Sequence, residues 1–230
     1  MRDLVLLPGF MCDQDLWTDM LPDLGLLGHV HFGNVYQDDT LEGMAERILS
    51  RSPEQFVLVG FSMGGFVGRI LTLMAPERVT GVAFVASSAR GYSDEERKLR
   101  QQGYLPGNRA PQNRGAAGNA LGLHPDRDRD PVLLDRLRGM QRRLGPEVRK
   151  RQAALVRKDG YEDLKRITCP SLVVACRQDR LRTFDETRRM ADSLPHARFE
   201  VIEECGHMAP LEKPHELASL LDDWIAEAKL

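Results

Sequence analysis

The chain has 230 residues, of which 42% are hydrophobic, 29% charged and 6% aromatic, with a formal net charge of −2. That length and near-average composition fit one sizeable globular domain with an aliphatic core, and exclude collagen-like, coiled-coil and wholly disordered chains. Near-neutral charge removes a global electrostatic case for nucleic acid, and no apolar run reaches the roughly 18 residues of a membrane span.

The chain opens on a buried strand, Leu4–Leu7, ended by Pro8. A secretory core would need about 7–15 apolar residues there, so the expectation is a cytoplasmic protein with no membrane partner. His29–Val35 is a weaker strand candidate, and Phe56–Val59 a strong one. After Ser62, apolar residues recur at Met63, Phe66, Val67, Ile70, Leu71 and Met74, a helical stripe that stops at Pro76. Val82–Val85 reads as the next strand.

Residues 91–166 break this rhythm. A stretch from Gly103 to Pro131, rich in Gly, Pro, Asn and Arg, precedes a helix marked by Leu133, Leu137, Met140 and Leu144. Gly145-Pro146 interrupts it, and Val148, Gln152, Leu155 and Val156 predict a second helix. Strands then resume at Leu172–Ala175 and Arg198–Ile202, the latter alternating as an edge strand does. A last helix carries Leu217, Leu220, Leu221, Trp224, Ile225 and Ala228, with Pro214 in its first turn. Nearly continuous apolar strands alternating with helices predict an α/β fold whose mostly parallel sheet is covered on both faces. Residues 1–90 and 167–230 form its core and 91–166 a helical insertion.

Chemistry concentrates in Gly60-Phe61-Ser62-Met63-Gly64, a Gly-x-Ser-x-Gly pattern between a buried strand and an amphipathic helix. Small neighbours let the backbone crowd at a sharp turn that lifts the serine hydroxyl above the sheet. A serine needs a base held by a carboxylate to become a nucleophile. Of the six histidines, His29, His31, His124, His196 and His215 fall in loops or at element ends. His207 instead follows a strand, in Gly206-His207-Met208-Ala209-Pro210, where ligands of open α/β sheets bind. Asp179 follows the preceding strand in the same way, and Asp185 is a weaker substitute that opens the next helix. The order Ser62, Asp179, His207 matches one triad class and neither of the two classical protease orders. The amide of Met63 is one candidate oxyanion donor, and Phe10, after the turn at Gly9, is the second.

These residues resemble the α/β-hydrolase superfamily over nearly the whole chain. Leu-Pro-Gly-Phe at the first strand, Gly-Phe-Ser-Met-Gly-Gly at the serine turn, Asp179 after a late strand and Gly-His-Met-Ala-Pro-Leu-Glu-Lys-Pro near the end carry the likeness. Similar proteins usually have His-Gly where Pro8-Gly9 stands, and often Gly where Cys176 stands. The resemblance implies that the family's first two strands are absent, that 91–166 is the cap, and that the activity is a serine esterase's with no cofactor. Thioester cleavage, carbon–carbon bond hydrolysis and a low-turnover receptor role use the same fold. A serine rather than an aspartate nucleophile argues against a haloalkane dehalogenase.

Other signals are weaker. Asp126–Asp130 alternates with arginine, but a calcium loop starting there would need Gly and Glu where Pro131 and Leu137 stand. The four cysteines, Cys12, Cys169, Cys176 and Cys205, contain no metal or redox spacing, and free thiols are expected. The net charge conceals a split. Residues 91–166 hold 18 basic and 11 acidic residues, a net of +7, leaving 14 and 23 elsewhere, a net of −9. A solvated helix face is the leading explanation. Attraction of an anionic substrate is another. A third is docking of an acidic carrier protein, which a resemblance to the pimeloyl-carrier-protein methyl ester esterases implies, with Arg138, Arg142, Arg149 and Arg157 sharing helix faces. Tyr92 and Tyr104 alone precede Tyr161 in this stretch, with no other aromatic between them, so no stacking pattern for nucleic acid is present.

Overall fold

Strands β1 (Asp3–Leu7), β2 (Val30–Phe32), β3 (Phe56–Phe61), β4 (Val79–Val85), β5 (Ser171–Cys176) and β6 (Ala197–Ile202) form one sheet. Its order is β2-β1-β3-β4-β5-β6 and every pair runs parallel. The computed structural model describes residues 3–24, 29–101 and 120–230. Much of the Gly/Pro-rich stretch from Gly103, with Tyr104, lies outside those residues.

Continuous apolar strands make sense once both faces are seen to be covered. Leu4, Leu6, Val57, Val59, Phe61, Ala83 and Val85 point into one core with Trp17 and Trp224. Val5, Leu7, Phe56, Leu58, Val82 and Phe84 point into the other with Met44, Phe66 and Met190. The period of two divides each run between two helix layers. The two edge strands, β2 and β6, are instead half-buried along most of their length.

Helices α1 (Leu41–Leu49), α2 (Met63–Met74), α3 (Asp94–Gln101), α4 (Pro131–Ala154), α5 (Tyr161–Leu164), α6 (Phe184–Asp192), α7 (Ala209–Glu212) and α8 (Pro214–Glu227) fill the connections. Among the described residues, no strand lies between β4 and β5. There α4 bends at Gly145, whose φ of 78° and ψ of 176° interrupt the helix just before Pro146. The second helical pattern ends earlier than its apolar spacing predicts. Leu155 is the C-cap and Val156 is 62% exposed, so only Leu155 turns back to the core. His31 departs from its expected loop or element-end position: it sits mid-strand in β2, opposite Val5. Among the described residues, no helix is long and apolar enough to cross a membrane.

The strand order carries the functional consequence. Chain direction across the sheet reverses between β1 and β3, with β2 on one side and β4 on the other. The loops leaving β1 and β3 diverge there, opening a crevice at the carboxyl ends of the strands.

Candidate active site

Ser62 occupies the turn between β3 and α2, at the topological switch point. Its φ of 50° and ψ of −109° are unusual for a residue with a side chain. The turn is over-determined: Ser62 N–H donates to the Val85 carbonyl at 2.9 Å, and the Ser62 carbonyl accepts from Ser87 Oγ at 2.9 Å and from Gly65 N–H at 3.1 Å. Crowding explains the small residues around it. A Cβ on Gly64 would lie 2.2 Å from the Leu7 carbonyl oxygen, so helix α2 starts in contact with the end of β1. A Cβ on Gly9 would meet the Phe61 ring at 2.8 Å and Ser62 Cβ at 3.3 Å. The loop after β1 therefore passes directly beside the serine.

His207 Nε2 lies 2.8 Å from Ser62 Oγ, and its Nδ1 lies 2.6 Å from Asp179 Oδ2. All three residues are buried. The other carboxylate oxygen, Asp179 Oδ1, accepts the N–H groups of Leu181 at 2.7 Å and Arg182 at 2.8 Å. Both Asp179 oxygens are thus occupied and the carboxylate is fixed against rotation. The Phe61 ring packs on the imidazole, centroids 5.1 Å apart. Asp185 lies in the first turn of α6 behind the Thr183 N-cap, and the aspartate on His207 is Asp179.

A residue that sequence reasoning did not single out holds the histidine loop. Glu212 is buried in α7; its Oε1 accepts Met208 N–H at 3.2 Å and its Oε2 accepts His124 N–H at 2.7 Å. Gly206 N–H also bonds this carboxylate. The residues on both sides of His207 are therefore anchored to one side chain. The only sequence signal was a glutamate in an otherwise apolar, Pro-flanked run.

On the other side of the serine, the loop after β1 turns through Gly9–Cys12, closed by Cys12 N–H to the Gly9 carbonyl at 3.2 Å. Met11 N–H is taken by Gln152 Oε1 at 2.8 Å, whereas Phe10 is half-buried in the same turn. Met63 is the first residue of α2, so its N–H has no partner within the helix.

Some of the described basic residues of 91–166 pair with acids outside the segment, while others, such as Arg142, Lys150 and Lys158, are exposed. Arg143 bonds Asp13 and Asp15, Arg136 bonds Asp15 and Asp19, and Arg151 bonds Asp39 and the Tyr36 carbonyl. Three of the four arginines expected to share faces have separate surroundings. Arg157 is buried against the Phe66 and Tyr92 rings, Arg149 lies over the Phe10 ring, and Arg138 bonds Asp135. Among the described residues no group of His, Cys, Asp and Glu is disposed to hold a metal ion.

A doubly covered parallel sheet, with a serine on a strained strand-to-helix turn and a histidine and aspartate on later strand ends, defines the α/β-hydrolase class. The chain belongs to that family, whose model matches residues 4–220. A pimeloyl-[acyl-carrier protein] methyl ester esterase of Sodalis glossinidius is 35% identical over 101 residues, covering 40% of this chain and 39% of that protein. Its counterpart in Nitrosomonas europaea is 26% identical over 240 residues, 96% of this chain and 94% of that protein. Among solved structures, a thermophilic esterase from Thermogutta terrifontis superposes with a TM-score of 0.82 at 23% identity, over 100% of this chain and 91% of that one. That last likeness is one of fold.

Proposed function

We propose that the chain is a serine esterase cleaving a carboxylic ester of a small or acyl substrate through an acyl-enzyme. The observation that carries this is the unbroken hydrogen-bonded line from Ser62 through His207 to Asp179. In this reading Ser62 Oγ attacks the ester carbonyl while His207 Nε2 accepts its proton. Asp179 holds the imidazole in the tautomer with Nδ1 protonated and stabilises the imidazolium that forms. The amides of Phe10 and Met63 bind the developing oxyanion. Gln152 occupies the Met11 amide, which favours Phe10 over its neighbour as the donor from this loop. His207 then protonates the leaving alcohol and later deprotonates the water that releases the acid. The helical segment 91–166 serves as the cap. We place the enzyme in the cytoplasm, whose reducing conditions suit its four free cysteines.

The relatives named for a carrier-bound methyl ester favour one second reading of the substrate, an acyl ester on an acidic carrier protein. Arg142, Arg149, Lys150 and Lys158, which have no carboxylate partner among the described residues, are the groups such a carrier would meet. Thioesters and activated carbon–carbon bonds remain alternatives because the same triad would serve them.

A panel of esters and thioesters of increasing acyl length, assayed with Ser62→Ala alongside, tests the reading. Turnover by the wild type should fall by at least about 1,000-fold in Ser62→Ala, and a fluorophosphonate should label only the wild type. Equal inactivity of both proteins on every substrate, with no labelling, would sink it.

A further inference from the structure

Two bonded peptide groups bracket His207. A peptide is planar, so the Met208 N–H lies in the plane that contains His207 Cα, and the Gly206 N–H in the plane that ends at Gly206 Cα. Both N–H groups bond the Glu212 carboxylate. Only one peptide separates the two planes, and it runs from Gly206 Cα to His207 Cα. Its two ends are therefore held from either side. With the backbone so placed, the imidazole reaches Ser62 Oγ at 2.8 Å and Asp179 Oδ2 at 2.6 Å.

Glu212 is in turn held by the segment that leads into α4. His124 N–H donates to Oε2 at 2.7 Å, and Arg127 donates to the Glu212 carbonyl at 3.3 Å. The Met208 N–H is shared between Glu212 Oε1 at 3.2 Å and the Gly122 carbonyl at 3.1 Å. The approach of the two chains is close: a Cβ on Gly206 would stand 2.3 Å from Leu123 C and from His124 N, and 2.8 Å from Glu212 Oε1. The side chain is thus wedged between the histidine loop and residues 122–124, buried with three N–H donors on its two oxygens. Such a site asks for an acceptor at both oxygens, which an ionised carboxylate supplies. A carboxamide would turn its NH2 on one of the donors, and an apolar side chain would leave buried N–H groups unpaired.

We infer that Glu212 is a positioning residue for His207: by bonding the peptides on both sides of it, the carboxylate fixes the backbone from which the imidazole meets Ser62 and Asp179 together. The same carboxylate joins that loop to residues 122–124, so the segment between β4 and β5 buttresses the site as well as covering it. Glu212 acts through the backbone and contacts neither Ser62 nor the imidazole. The effect on turnover rests on the esterase reading above; the effect on the His207–Asp179 contact does not.

The test uses the full chain with Glu212→Gln and Glu212→Leu. Steady-state kinetics on the best ester of the panel should show kcat lower by about 10-fold in Glu212→Gln and by up to about 100-fold in Glu212→Leu, with KM changed by less than about 3-fold. The far-downfield proton resonance of His207 Nδ1–H, recorded cold so that exchange with water is slow, reports the bond to Asp179 directly. It should weaken in the same order as kcat. Circular-dichroism melts set an assay temperature at which each variant is folded, and if Glu212→Leu does not fold, Glu212→Gln, which keeps the side-chain volume, decides. A folded variant with wild-type kcat and a wild-type resonance would overturn the inference. So would a kcat loss with the resonance intact, a change confined to KM, or a loss that only tracks the fraction unfolded. A wild type that neither turns over any ester nor is labelled at Ser62 would overturn the esterase reading instead, while the resonance would still decide whether Glu212 holds His207 against Asp179.

Discussion

Glu212 is a carboxylate held where carboxylates are costly. Burial pushes its pKa above the ordinary glutamate range, while the N–H groups of His124, Gly206 and Met208 pull it partly back. The folded protein therefore holds this proton more tightly than the unfolded chain does. The contribution to stability is fully present below the ordinary glutamate pKa and is lost as pH rises through the raised value. Glu212→Gln has no proton to lose, so the gap in unfolding free energy between wild type and variant should move in the variant's favour from about pH 4 to pH 7. Urea titrations across that range measure it; a gap independent of pH would show that Glu212 is not the titrating group. At Ser62 the same tension is conformational. Strain of about 1–3 kcal/mol at such a backbone persists because three hydrogen bonds and the contact of Gly64 with Leu7 leave the chain no other path.

Among the helices, α4 is the one whose shape matters most to the site. It begins under a good cap, Asp130 accepting from Val132 and Leu133, with Pro131 in its first turn. It buries Leu133, Leu137 and Met140 on one stripe, then changes direction at Gly145. That bend decides where Gln152 and Arg151, in its last turns, meet the loops after β1 and β2. No atom lies within 4 Å of a Cβ built on Gly145, so space is not the constraint; the φ of 78° is. Gly145→Ala should cost about 1–3 kcal/mol through backbone strain alone. A thermal melt should show that loss. A variant as stable as wild type would mean that the bend survives without glycine.

At the scale of the whole molecule, the −2 net charge is a sum of two opposed parts, some of whose charges pair across an internal contact. Arginines of α4 reach Asp13, Asp15, Asp19 and Asp39 on the loops of the sheet's carboxyl end. Burial alone would raise the Asp15 carboxyl, but hydrogen bonds and charge from Arg143 and Arg136 bring it below the ordinary aspartate range. Its stabilising effect is therefore present above the ordinary aspartate pKa and lost as pH falls through the depressed native value. Arg143→Gln should destabilise the protein by about 0.5–1 kcal/mol at neutral pH and low salt, since the pair is partly solvated. The deficit should shrink on acidification and in high salt, followed by denaturant unfolding. A deficit insensitive to both would assign Arg143 a packing role.

The strands, the helices α2 and α8, the break in α4 at Gly145-Pro146 and the Ser62, Asp179 and His207 positions were legible because each rests on local rules; α1, α3 and α5 were not read from the sequence. Buried strands are apolar runs, helices have a period of 3.6, and a serine turn needs glycines on either side. Chain order then supplied the histidine and carboxylate, because both follow strands. The charge split was legible too, as a count. What it does was not, since pairing of Arg143 with Asp13 spans 130 residues and no local pattern encodes it. For the same reason Gln152 looked like one more residue in a helical pattern, and Glu212 stood only as a glutamate in an apolar, Pro-flanked run. Their roles consist of hydrogen bonds to backbone groups far away in sequence, and every residue type has those groups. Sequence alone determined which side chains are candidates for the chemistry; only the tertiary structure decided which groups surround them and hold them together.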